Sequence, residues 1–262
     1  MKDEIKSPSP PLIEVGCGVM FTPHGPISMQ GYVELQKLFS LRGYTQVEEQ
    51  PPVIVSIEEE RQTTQAPPSI LQARYWFVNP TSNALVQVQP DRFHRNWRRR
   101  ENMNSYPGFP DTLKEFISDF SAFRETMSSL NFAVTNPIQM ELTYINHLKK
   151  GEYWDNLGDL SRVFPFIGKY GDDQELALEG FALGISKKSP PIGGRVHFQG
   201  VSAISNIDDS KLLQVSFTAR GLGECSTFEQ LEGWFLSARE QINTLWRSVL
   251  DKELQERSEA LK

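Results

Sequence analysis

The chain has 262 residues, with 27 Lys and Arg against 33 Asp and Glu, a formal net charge of −6. Hydrophobic residues make up 39% and aromatic residues 11%, a globular composition that excludes a disordered or fibrous chain, and the length is enough for one large core or two small ones. No apolar run reaches the roughly 18 residues a membrane helix needs, and the acidic balance speaks against a generic nucleic-acid coat while leaving room for a local basic patch. Met1 to Pro11 is charged and then Pro-rich, unlike a signal peptide, and the two Cys, Cys17 and Cys225, lie far apart. A cytoplasmic protein without a membrane segment is expected.

Pro11 to Phe21 alternates loosely and predicts a strand. After a Pro/Gly turn, Leu35, Leu38 and Phe39 share one face of a helix over Tyr32 to Leu41, with Gly43 as its C-cap. The region from Gln50 to Gln72 is ambiguous, and its polar run Glu58 to Gln65 predicts a solvated loop or helix. Arg74 to Val78 and Ala84 to Gln89 flank the turn-forming Asn79-Pro-Thr-Ser-Asn83, which predicts a hairpin. A long helix is then expected with Asp111 or Thr112 as N-cap, because Leu113, Phe116, Phe120, Phe123, Met127 and Leu130 recur at three- and four-residue steps.

A second strand-helix-strands-helix series follows. Pro137 to Asn146 predicts a strand with Ile138, Met140, Leu142 and Tyr144 on one face, and Tyr153 to Phe166 a weak helix. Strands are expected over Leu178 to Ser186, Arg195 to Ser205 and Lys211 to Ala219, the last two joined by a hairpin loop, Asn206 to Ser210. Gly221 to Ser226 reads as a turn before a closing helix with the stripe Phe228, Leu231, Phe235, Ala238, Ile242, Leu245 and Val249.

The two long helices overlay at an offset of 115, matching Thr112 with Thr227, Phe120 with Phe235, Arg124 with Arg239, Glu125 with Glu240 and Leu130 with Leu245. Val86-Gln-Val88 and Leu213-Gln-Val215 match at an offset of 127. The expected fold is therefore α+β, built of two tandem halves, 1–134 and 135–262, related by a pseudo-two-fold and forming one unit. One long helix per half leaves a sheet face partly bare, and a groove between halves is a preferred ligand site. The plan resembles the saddle of the TATA-box-binding fold and the paired strand-helix-strand-strand modules of bacterial small-molecule sensors.

Pro10-Pro-Leu-Ile-Glu-Val15, Leu85 to Arg98 with its Gln-Pro-Asp-Arg-Phe and Asn-Trp-Arg segments, Tyr106-Pro-Gly-Phe109 and Leu142-Thr-Tyr-Ile-Asn-His147 resemble a sporadically distributed, uncharacterised family of bacterial proteins of about this length. The resemblance covers nearly the whole chain. It implies a bacterial cytoplasmic protein with the patchy occurrence of defence-related genes, and it brings no catalytic residues with it.

Asp91 to Arg100 is the densest chemistry, with five Arg in ten residues and interleaved aromatics. Arg92, His94, Arg95, Asn96, Trp97, Arg98, Arg99 and Arg100 are the candidate ligand- or anion-binding residues, since guanidinium forks bind phosphate and aromatics stack on bases. Strand alternation puts Arg92, His94 and Asn96 on one face and Phe93, Arg95 and Trp97 on the other. The alternative is a structural cluster in which the aromatics pack and the Arg residues pair with carboxylates. His24, His94, His147 and His197 show no zinc spacing, the acidic runs Asp172-Asp173 with Glu175 and Asp208-Asp209 have turn composition, and Gly168-Lys-Tyr-Gly171 and Gly221-Leu-Gly223 lack the rest of a phosphate loop. No metal, cofactor or catalytic residue is expected.

The leading expectation is a non-catalytic binding protein holding a partner protein or small ligand in the groove between halves, as an accessory to a defence or toxin–antitoxin-type system. Its partner would be another protein or a second copy of the chain. The alternatives are a nucleic-acid or phosphate binder using Arg92 to Arg100, and an enzyme with a dispersed site drawing on His94, His147 or His197.

Overall fold

A computed structural model describes residues 11–22, 25–53, 56–58, 63–65, 72–100, 105–167, 179–205, 208–223 and 225–257. In chain order the elements are β1 (Leu12–Met20), α1 (Met29–Leu41), β2 (Gln46–Gln50), β3 (Ser56–Glu58), β4 (Thr63–Gln65), β5 (Arg74–Val78), β6 (Ala84–Gln89), β7 (Arg92–Arg98), α2 (Phe109–Ser129), β8 (Gln139–Lys149), α3 (Leu160–Val163), β9 (Ala182–Ser189), β10 (Gly194–Ile204), β11 (Lys211–Leu222), α4 (Phe228–Val249) and α5 (Lys252–Arg257). The chain is α+β. Nine strands form one antiparallel sheet in the order β2-β5-β6-β7-β1-β8-β11-β10-β9, and β3 and β4 form a separate pair. Among the described residues no helix is long and apolar enough to cross a membrane.

The order puts β1 and β8 at the centre. They pair with Gly16 opposite Thr143 and Gly18 opposite Glu141, while β7 flanks β1 and β11 flanks β8. The helices cover one face. Phe93 of β7 packs against Phe116, Phe120 and Phe123 of α2, and Phe217 of β11 against Trp246 of α4. Phe39 of α1 meets Phe77, and Phe164, just past α3, meets Phe198. The rings of Phe116 and Phe235 meet 5.0 Å apart where α2 and α4 touch. A stripe of aromatics at helical spacing is thus the core, and each such ring buries enough apolar surface to be worth about 2 kcal/mol.

Several element boundaries differ from expectation for local reasons. α2 begins at Phe109, with Gly108 at φ 96° before it, so Asp111 and Thr112 lie inside the helix. Pro110 suits a first turn whose N–H groups have no partner in any case. At the observed starts, Phe116 and Phe235 each lie seven residues into their helix, which corresponds to an offset of 119 rather than 115. Val86-Gln-Val88 lies on β6, whereas β7 directly precedes α2, so it does not hold the place that Leu213-Gln-Val215 holds before α4. Gly221 belongs to β11 rather than to a turn. Arg92 to Arg98 is a full strand between β6 and β1.

Of the run from Glu58 to Gln65, the described residues are strand rather than solvated loop or helix: Glu58 ends β3 and is buried, Thr63 to Gln65 form β4, and residues 59–62 lie outside the described residues. A buried carboxylate must be paired. Arg195 Nη1 and His197 Nε2 of β10 lie 2.6 and 2.7 Å from its two oxygens. The backbone N–H of Glu58 donates to Gln139 of β8, and that of Val53 to Gln89 of β6. These contacts lay part of the connection between β2 and β5 over the helix-free face.

Candidate anion pocket on the helix-free sheet face

Alternation along β7 decides where the basic run goes. Phe93, Arg95 and Trp97 point to the helices, while Arg92, His94 and Asn96 line a cavity of about 260 Å³ on the opposite face. Gly16 and Met20 of β1, Arg74, Gln87, Glu141, Thr143, Arg220 and Val53 complete its lining. The pocket therefore straddles the central β1–β8 pairing and draws on β5, β6, β7, β8 and β11.

Two glycines make the floor. A Cβ on Gly18 would stand 2.3 Å from the His94 ring, and one on Gly16 would stand 2.8 Å from Asn96 Nδ2. Both distances lie far inside van der Waals contact, so only glycine lets the β7 side chains lie down across β1.

A row of hydrogen bonds fixes the polar wall. Arg74 Nη1 and Trp76 Nε1 both donate to Gln87 Oε1 at 3.0 Å, Gln87 Nε2 donates to Asn96 at 2.7 Å, and Asn96 Nδ2 donates to Glu14 at 2.5 Å. The guanidinium carbons of Arg74 and Arg98 lie 5.1 and 5.6 Å from the Trp76 ring centre. Cation–π contact of this kind steadies an arginine without neutralising it.

The charges are unequal. Of the described residues lining the cavity, Arg74, Arg92 and Arg220 are cationic and Glu141 is the one anionic side chain. Glu141 is bound by the Arg220 Nε–H, and Arg92 Nε lies 3.1 Å from its neighbour Asp91. Arg74 has no ion pair among the described residues. Burial lowers its pKa, and Arg92 nearby adds to the effect. Burial would raise the Glu141 carboxyl, but Arg220, His94 and Arg92 together hold it below the usual range. Burial pushes His94 down to about 4, with Arg92, Arg220 and Arg74 reinforcing and Glu141 opposing, so the imidazole is neutral near pH 7. Its Nε2 is shut off from solvent and has no hydrogen-bond partner. An unmade hydrogen bond at a shielded nitrogen costs about 1–3 kcal/mol.

The candidate cluster is thus divided. Arg92, His94 and Asn96 are in the pocket, and Arg98 lies beside it against Trp76. Arg95 is under α2, with Nε 3.0 Å from Asp119 and 3.1 Å from the Tyr44 hydroxyl. Trp97 packs on Tyr106. Arg99 donates to the Leu12 carbonyl and stacks over Trp97, and Arg100 donates to the Ser82 carbonyl. Half the run is therefore structural.

The histidines do not converge. His147 Nε2 lies 3.4 Å from Gln214, His197 pairs with Glu58 and Ser186, and His24 is outside the described residues. Among the described residues no three His, Cys, Asp or Glu side chains form a group that could hold a metal. Asp208 accepts from the Ser210 N–H and hydroxyl as a turn residue, whereas Asp172, Asp173, Glu175 and Gly168 to Gly171 lie outside the described residues. Cys17 is buried on β1, its thiol pushed up to about 12 by burial.

Arg74, Gln87, Glu141 and Arg220 escape sequence reasoning because long-range strand pairing gathers them. A local signal is Gly16 and Gly18, two same-face glycines in a strand whose other residues, apart from Glu14, are apolar. No protein-family model matches the chain, and no curated protein is similar to it.

Proposed function

We propose that the chain is a non-catalytic binding protein that holds a small anionic ligand in the pocket between two duplicated halves. The observation that carries the reading is the charge of the pocket: three arginines face one carboxylate, which already serves Arg220, beside a shielded His94 nitrogen with no partner. Such a lining is costly unless an anion completes it.

The strand order supports the duplication. From the central pairing, β1, β7, β6 and β5 run to one side, with β2 added at that edge, and β8, β11, β10 and β9 to the other. Each series begins with a central strand and ends with three antiparallel strands and a long helix. Phe116 and Phe235, in corresponding places on α2 and α4, meet each other. This plan suits the paired modules of small-molecule sensors. A small ligand is favoured over nucleic acid because Arg95, Arg99 and Arg100 are committed to internal partners.

Thermal denaturation in sulfate, phosphate, citrate or acetate, against chloride at equal ionic strength, tests the reading. At least one anion is expected to raise the midpoint saturably, by the equivalent of about 2.7 kcal/mol at a hundred times its Kd. Arg74→Ala is expected to remove the rise. No saturable stabilisation by any anion, or an equal rise in the variant, would sink the proposal.

A further inference from the structure

We infer that the ligand of this pocket is a phosphate monoester, held as a tetrahedral dianion and taken up together with one proton that lodges on His94. The inference rests on the anion-binding reading above and specifies both the ligand class and the protonation that accompanies it.

The first argument is shape. A guanidinium fork grips two oxygens, so a planar carboxylate is satisfied by one arginine. Arg74, Arg92 and Arg220 come from three different strands and reach the same cavity. Three guanidiniums, each with N–H groups beyond those that hold Asp91, Glu141 and Gln87, suit an anion with three terminal oxygens, which a phosphate monoester presents with a charge of about −1.5 to −2 at pH 7. Gln87, Asn96 and Thr143 offer neutral amide and hydroxyl groups to whatever the ester carries.

The second argument is charge balance. The groups facing His94 are Arg92 on its own strand, Arg74 from β5, Glu141 from β8 and Arg220 from β11, while Gly18 beneath it and Gln87 beside it bring no charge. With Asp91 on Arg92, three guanidiniums oppose two carboxylates, leaving one positive charge. A monoanion brings this to zero. A dianion overshoots by one, and a proton on His94 restores neutrality. The proton also adds a donor, because a protonated imidazole donates from both nitrogens and Nε2 has no hydrogen-bond partner. Burial sets the imidazole at about 4. Half-protonation at pH 7 needs a thousandfold gain in proton affinity, and one negative charge about 4 Å away in a partly shielded site supplies roughly that factor.

The test is calorimetric titration of the full chain with sulfate, a tetrahedral dianion with no proton to exchange near neutrality. Titrations at pH 7 in two buffers of different ionisation enthalpy count the protons. The expected result is uptake of about half to one proton per bound sulfate, with affinity falling up to tenfold per unit as pH rises from 5 to 7. Methyl phosphate should compete with sulfate, and acetate at the same concentration should not. His94→Gln should bind sulfate with neither buffer dependence nor pH slope; if that variant fails to fold, the proton count on the unaltered chain decides. Sulfate binding with no proton uptake, or displacement by acetate as readily as by methyl phosphate, would overturn this inference and leave the anion pocket standing. No binding of any anion would instead remove the reading on which it rests.

Discussion

Gly18 and His94 form the pair on which the pocket floor depends. A methyl group on Gly18 would collide with the body of the imidazole, so the ring or the β1 backbone must move. Gly18→Ala is expected to cost about 1–3 kcal/mol in urea denaturation and to abolish the anion-dependent rise in midpoint. His94 also sets an acid response. Its proton affinity is lower in the folded chain than in the unfolded one, whose ordinary value is 6.5. Stability therefore falls as pH drops from 6.5 to about 4 and levels off below, a total of about 3 kcal/mol. Glu141 titrates below its ordinary 4.5, so its contribution is intact above that pH and is lost further down. Urea midpoints across pH 4 to 6.5 should slope in the unaltered chain and slope less in His94→Gln, where His147, also lowered by burial, still contributes. At this scale the sequence pointed to His94, Arg92 and Asn96 through density of charge and strand alternation. It did not point to Arg74 or Arg220, each a single arginine in an unremarkable strand.

Elements show where periodicity suffices and where it does not. The stripe from Leu231 to Val249 is buried as its spacing predicts, and Thr227 with Gln230 closes a capping box at the start of α4. Thr227→Ala is expected to cost about 1 kcal/mol in chemical denaturation. The basic strand β7 is harder to read because its two faces do different work. Under α2, Asp119 binds Arg95, Arg42 and the Tyr44 hydroxyl, with distances of 3.0, 2.6 and 2.6 Å. Asp119→Ala strands the buried Arg95 and should cost about 3–5 kcal/mol by the same measurement, without altering the pocket lining. A loss of less than 1 kcal/mol would show that Arg95 finds other partners. β3 leaves little local mark because Glu58 opens a polar run, and the burial of Glu58 is matched by the distant Arg195 and His197.

At the scale of the whole molecule, the sheet is continuous through the β1–β8 pairing, and the core runs from Leu12 to Leu254 as a single cluster. Strands and helices that share one sheet, one core and a helix–helix contact should unfold together. The fluorescence of Trp97 on β7 and of Trp246 on α4 should therefore follow one transition, checked with single-Trp variants in urea. Two separate midpoints would show that the seam does not couple them. The hairpins β5–β6 and β10–β11 were legible because their turns are local, and the helices α2 and α4 were legible from periodicity. The pairings β1–β7, β1–β8 and β8–β11 span long stretches of chain and leave no local mark, so the pocket they assemble was legible only as an expected groove.

That pocket can be tested by position. Selenate is a tetrahedral dianion whose selenium scatters anomalously, so crystals of the full chain grown with it report where such an anion sits. An anomalous peak among Arg74, Arg92 and Arg220, beside the His94 ring, is the predicted result. An empty pocket with selenate bound elsewhere on the protein would contradict the account.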